Sequence, residues 1–197
     1  MFSVMIARLA GLRMRYAEPH RSYHGQAHVD TLLEGLVQEA GAMRHRTAAE
    51  LAVWYHDAIY DPAASDNEDR SAALLLNEMA GLVCPDVLRA AVVMVHATAR
   101  HMLPPGLDEE LRADVATFLD LDMAVLGTDF VEYEAYETGI AAEYVPVYGL
   151  QAFRTGRGAF IRGMLARERL FLTERFHRRL DTAARVNLRR AIAGLGN

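Results

Sequence analysis

A chain of 197 residues with 52% hydrophobic and 24% charged residues is long enough to bury a sizeable core, and one domain over residues 1–197 is the expectation. No apolar run approaches the roughly 18 residues that span a bilayer, which argues against a membrane partner. A net charge of −5 and a pI near 5.9 provide no general attraction for nucleic acid, so no long nucleic-acid partner is expected either. The single cysteine, Cys84, rules out an intramolecular disulfide, and the cytoplasm is the simplest compartment. All 21 basic residues are arginine, which excludes a lysine nucleophile or Schiff base.

In chain order, "MFSVMIARLAGLRMRY" reads as an amphipathic helix rather than a secretory signal, because Arg8 interrupts its apolar stretch. In "YHGQAHV", His24 and His28 stand at i and i+4, a spacing that puts two side chains on one helix face, and His28 leads into Leu32, Leu33 and Leu36. Thr47 with Glu50, and Ser65 with Glu68, have the form of capping boxes opening two further helices. The first of these, from Thr47 to Tyr60, is apolar nearly all round and is therefore expected to be buried.

Pro85 suits the first turn of the next helix. Asp108, Glu109 and Glu110 open another, as acidic residues complement the helix dipole there. Gly127 ends that helix after "DLDMAVL". Three more helices are expected over Phe130–Tyr144, Leu150–Ala166 and Glu174–Leu195. No repeat, low-complexity tract or glycine-rich phosphate loop interrupts this pattern, and the fold class expected is all-α.

The residues able to carry chemistry lie at particular points of this pattern. His56 and Asp57 fall at the end of the buried helix, where a carboxylate demands a cation or several donors; an arginine or a metal ion would serve. His56 lies 28 residues beyond His28, a spacing that allows a neighbouring antiparallel helix to bring the two histidines opposite each other. At about 100° per residue, Leu111, Val115, Phe118, Val125 and Leu126 form one stripe. Asp122 falls in its middle, while Asp120 falls opposite, where solvent is favoured over a place behind the ligands.

Secondary candidates are weaker. Glu68 is explained by its capping box or by orienting an attacking water. His101 is a candidate for a second metal or a substrate phosphate, with an ordinary core or surface histidine an equally good reading. Arg154 and Arg157 share a helix face and suit a phosphate, although such runs usually form a solvated face.

The order "YHGQAHV", "WYHDAIYD", "DNEDRSA", "ATARH", "FLDLDMAVLG", "EY" and "FRTGR" resembles a group of small bacterial predicted HD phosphohydrolases, within the HD-domain superfamily of metal-dependent phosphohydrolases. The resemblance implies a single-domain helical bundle with a metal site between helices. It places His28, His56, Asp57 and Asp122 as ligands, makes Asp57 part of the catalytic centre, and gives His24 the place of the general acid. Two imidazoles and two carboxylates suit one divalent ion of the set Mn, Fe, Co, Zn or Mg. The substrate implied is a small phosphorylated compound, a nucleotide among the candidates, hydrolysed by a metal-activated water. A homodimer is compatible with the sequence. The alternative is a non-catalytic nucleotide- or ligand-binding HD module with a structural metal. A di-iron oxygenase of HD type ranks last, because only His101 and the less well placed His96 are available as extra histidine ligands.

Overall fold

The apolar stripes of the sequence become helices that bury those stripes against one another, and no strand occurs among the described residues. The computed structural model describes residues 2–39 and 41–195, with the side chains of residues 2–6 outside that description. The contacts group into two units, one ending at Leu121 and the other beginning at Asp122.

The first unit carries α1 (Phe2–Tyr16), α2 (Gln26–Glu39), α3 (Arg46–Tyr55), α4 (Asn67–Met79), α5 (Pro85–Thr98) and α6 (Glu109–Asp122), whose last residue is the division point. Helix α3 is the centre of this unit and packs on α2, α4 and α5. Ala48, Ala49, Ala52, Leu51, Val53 and Tyr55 are all buried, as expected of a helix that is apolar nearly all round. Its small side chains let neighbours approach closely, and Val29, Leu32, Leu75, Met94 and Phe118 complete the core. Burying each large apolar side chain contributes about 1.5–3 kcal/mol.

Several helix starts differ from the expected ones. Helix α3 begins at Arg46, and no side chain of its own caps it. Asp114 of α6 reaches back and accepts both the His45 backbone N–H, at 2.6 Å, and His45 Nδ1, at 2.9 Å. Glu50 pairs with Arg46 at 3.0 Å and closes no box with Thr47. Likewise α4 starts at Asn67, after Asp66, so Ser65 and Glu68 form no capping box. By contrast, Asp108 accepts the Leu111 N–H at 2.8 Å, as an acidic helix opener should.

Gly35 of α2 marks a close approach to the end of α6. A Cβ there would lie 2.6 Å from Leu121 Cδ2. Two helical turns separate Gly35 from His28, so the position where α2 has no side chain lies on the same face as that histidine.

The second unit contains a 3₁₀ turn (Ala124–Gly127), α7 (Phe130–Tyr148), α8 (Leu150–Ala166) and α9 (Glu174–Leu195). Helix α7 runs four residues past its expected end, through Pro146, and stops at Gly149, whose φ of +76° favours glycine. Helix α9 packs on α8 and on the 3₁₀ turn. Asn187 Nδ2 donates to the carbonyls of Leu126 and Thr128, both at 3.0 Å. At Gly127 a Cβ would meet Leu180 Cβ at 2.6 Å and its carbonyl oxygen at 3.0 Å, so only glycine fits without backbone movement.

Candidate metal centre

His28 sits in the first turn of α2 and is 7% exposed; His56 caps the C-terminus of α3 and is 1% exposed. The helix expected to reach Tyr60 ends at Tyr55, so the His56–Asp57 doublet lies in the turn that follows. His56 Nδ1 lies 3.0 Å from the Val53 carbonyl. A carbonyl only accepts, so Nδ1 carries a proton, and in the neutral ring Nε2 presents its lone pair.

That lone pair faces His28 Nε2 at 3.2 Å and Asp57 Oδ2 at 3.0 Å. One shared proton can bridge only one of these contacts. Two nitrogens bound to the same ion at about 2.1 Å lie roughly 3–3.5 Å apart, which is the separation seen between these two imidazoles.

His28, His56 and Asp122 each offer a ligand atom, all within 4.8 Å of one another. Asp122, the last residue of α6, is half-buried. Asp57 lies outside that mutual set but touches it through His56, and its side chain is 15% exposed. Burial works to raise the Asp57 carboxyl. Positive charge on the imidazoles of His56, His24 and His28 outweighs it and holds the pKa well below the usual carboxylate range. The donor set of two imidazoles and a carboxylate, with a second carboxylate beside it, fits a divalent first-row ion.

His24 is not on a helix face with His28. It lies in the turn before α2, which begins at Gln26. The turn still delivers it to the site: its ring centroid is 6.1 Å from that of His28 and 4.5 Å from that of Tyr60. Tyr23 stands edge-on to His24 and 5.0 Å from His28.

Asp120 corrects the helical projection. It is 1% exposed rather than solvated, while Asp122 is only half-buried. The projection assumed a solvent face opposite the stripe, but the last turns of α6 are enclosed: Asp114, Val115, Ala116, Phe118, Leu119 and Asp120 are all buried.

The weaker candidates are not drawn into the ligand set. Glu68 is half-buried in the first turn of α4. His101 lies in the turn beyond α5 with φ +47°. Arg154 is half-buried on α8. Arg157 is buried, and its guanidinium is held two-pronged by Glu137, at 2.8 and 3.0 Å. It also lies over the rings of Tyr136 and Phe160.

The structure adds a residue that periodicity did not reveal. Arg21, whose side chain is fully buried, spreads its guanidinium over four acceptors. Nη1 donates to the carbonyls of His24, at 3.0 Å, and Asp57, at 2.7 Å. Nη2 donates to Ala58 O at 3.2 Å, and Nε to Glu18 Oε2 at 3.0 Å. The rest of the turn after the doublet is tied as well: Ser71 holds Ile59, His20 reaches Tyr60 O, and Asn67 accepts from Asp61 N. The only sequence signal was an arginine three residues before His24 in "PHRSYH", a position that no helical pattern marks.

Among the described residues, no helix is long and apolar enough to cross a membrane. No family model, no curated protein and no solved structure matches this chain.

Proposed function

We propose that the chain is a metal-dependent phosphohydrolase of HD type that acts in the cytoplasm on a small phosphorylated compound such as a nucleotide, by phosphomonoester or phosphodiester hydrolysis. The observation that carries this reading is the convergence of His28, His56 and Asp122 within 4.8 Å, with Asp57 beside them and His24 across from Tyr60. A purely structural metal site has no need of a further histidine at its edge.

In this reading His28, His56, Asp57 and Asp122 hold one divalent ion, whose contribution is to acidify a water and neutralise phosphoryl charge. Asp57 stays ionised and accepts a hydrogen bond from the attacking water, turning its oxygen toward phosphorus. As the new P–O bond forms and the ester P–O bond breaks, His24 gives its proton to the departing oxygen. The burial of His28 and His56 limits competing water and strengthens each charge interaction.

The test is to load the purified protein with Mn²⁺, Co²⁺, Zn²⁺ or Mg²⁺ and screen phosphomonoesters and diesters. Turnover that a chelator abolishes is expected, and His24→Ala should keep the metal while losing turnover. Full metal occupancy in the His56→Ala, Asp57→Ala double variant would show the site to be misplaced. Metal-loaded protein that hydrolyses nothing, yet is strongly stabilised by one nucleotide, would replace the enzyme with a binding module.

A further inference from the structure

The proton donor and the carboxylate beside the ligand set lie on two different turns outside the helices, each closed by a short backbone bond of its own, Gly25 N–H to Tyr23 O at 2.7 Å and Ala58 N–H to Tyr55 O at 3.1 Å. His24 precedes α2 and Asp57 follows α3. Such bonds shape each turn but do not fix one turn against the other, and two groups that act on one substrate must be held relative to each other, since misplacement by about 1 Å costs orders of magnitude in rate.

We infer that Arg21 is the positioning residue that sets His24 against Asp57, an inference that rests on the phosphohydrolase reading. A single nitrogen, Nη1, donates to the backbone carbonyls of both residues, at 3.0 and 2.7 Å. Nη2 continues the same turn by binding Ala58 O at 3.2 Å. The planar fork is fixed on both sides and at its root. Its carbon lies 5.1 Å from the Tyr16 ring and 5.3 Å from the Tyr60 ring, and Nε is anchored by Glu18. Tyr60 in turn packs against His24.

The planar guanidinium has five N–H groups, of which four are directed here; lysine offers three donors from a single point and cannot span the same carbonyls. The Arg21 guanidinium is directed at three backbone carbonyls and Glu18, not at the side chains of the ligand set. Its effect passes through the backbone of the two functional residues.

The test compares wild type, Arg21→Lys, and the milder Glu18→Gln, which leaves Nε an oxygen to donate to but removes the negative charge that faces it and, at 3.7 Å, His20. Each Mn²⁺-loaded protein is given p-nitrophenyl phosphate, whose phenolate leaves without a proton, and an alkyl phosphate, whose oxygen must be protonated. For Arg21→Lys the expected result is a loss in kcat of about 10–100-fold on the alkyl ester and within about threefold on the activated one. Glu18→Gln should give a smaller loss with the same selectivity. Combined with His24→Ala, Arg21→Lys should add almost nothing on the alkyl ester, because both remove the same contribution.

Equal losses on the two esters, or full additivity with His24→Ala, would overturn the assignment. A readout independent of activity is amide hydrogen exchange. Arg21→Lys should speed exchange at both the 23–25 and 57–60 segments together, with Mn²⁺ affinity by calorimetry within about threefold of wild type. Loosening of one segment without the other would also overturn it. If wild type hydrolyses neither ester, the phosphohydrolase reading falls, and the exchange experiment alone decides whether Arg21 couples the two turns.

Discussion

The two units each bury a polar cluster, and the clusters are built on opposite principles. In the second, Glu137 accepts Arg157 through two parallel bonds and the Tyr133 hydroxyl at 2.5 Å. Asp181 likewise accepts the Leu170 N–H at 2.8 Å, His177 Nδ1 at 3.1 Å and Arg185 Nε at 2.6 Å. Each of these carboxylates is met by donors, and the charges close on themselves. In the first unit, His56 Nε2 is turned toward another imidazole nitrogen and a carboxylate oxygen. Groups that accept are brought together there, an arrangement that invites a cation. The difference separates a cluster whose charges are compensated from within from one that could hold a cation.

The largest expected effect comes from breaking the closed cluster. Arg157→Ala leaves the Glu137 carboxylate without its two-pronged partner and should cost about 3–5 kcal/mol in chemical denaturation. Replacing both partners by apolar residues, Arg157→Met with Glu137→Leu, should cost far less. A double variant as damaged as the single one would mean that packing, not charge, holds this region.

The open cluster should respond in the other sense. His56→Ala is expected to lower Mn²⁺ affinity by about 100-fold or more, read by calorimetry, since even residues that only orient a ligand contribute 10–100-fold. At a hundred times its Kd, the metal should stabilise wild type by about 2.7 kcal/mol. In chelator, Asp57→Asn should be close to neutral, because an amide N–H can donate to the His56 Nε2 that the carboxylate meets at 3.0 Å. A large destabilisation of Asp57→Asn in chelator would place this cluster with the closed one.

Glycines sharpen the comparison at the level of packing. Gly127→Ala forces a Cβ onto Leu180 Cβ and its backbone and should cost about 1–3 kcal/mol in thermal denaturation. Gly35→Ala meets only the tip of the Leu121 side chain, and its cost should stay below about 1 kcal/mol as that side chain rotates away.

Acid provides the smallest and most gradual test. Burial works to raise the Asp181 carboxyl, but the Leu170 N–H, Arg185 and His177 together lower it below its ordinary value of 3.8. A carboxyl whose folded pKa is depressed contributes stability that is complete above that ordinary value and is lost as pH falls through the folded one. Urea midpoints measured from pH 6 down to pH 2.5 should therefore fall most steeply below about pH 4, and Asp181→Asn should flatten part of that slope. An unchanged slope would remove Asp181 from the acid response.

Much of the helical frame was legible in advance because a helix writes its buried face into a 3.6-residue period. The starts of α5 and α6, and the full extents of α8 and α9, agree with their sequence signals within a residue. The capping boxes failed at Thr47 and Ser65 because capping is a local preference that a distant group can override. Asp114, 69 residues away, serves α3 instead.

The sequence by itself determined an all-α chain whose buried α3 ends in a His–Asp doublet, and it singled out the histidines and carboxylates of the candidate site. Tertiary structure alone decided that His24 stands on a turn, that Asp120 is enclosed, and that Arg21 ties two turns together. The physical reason is that periodicity reports which side of a single helix is apolar. It carries no record of what encloses the opposite side, nor of which backbone carbonyls a long side chain will find once the chain has folded around it.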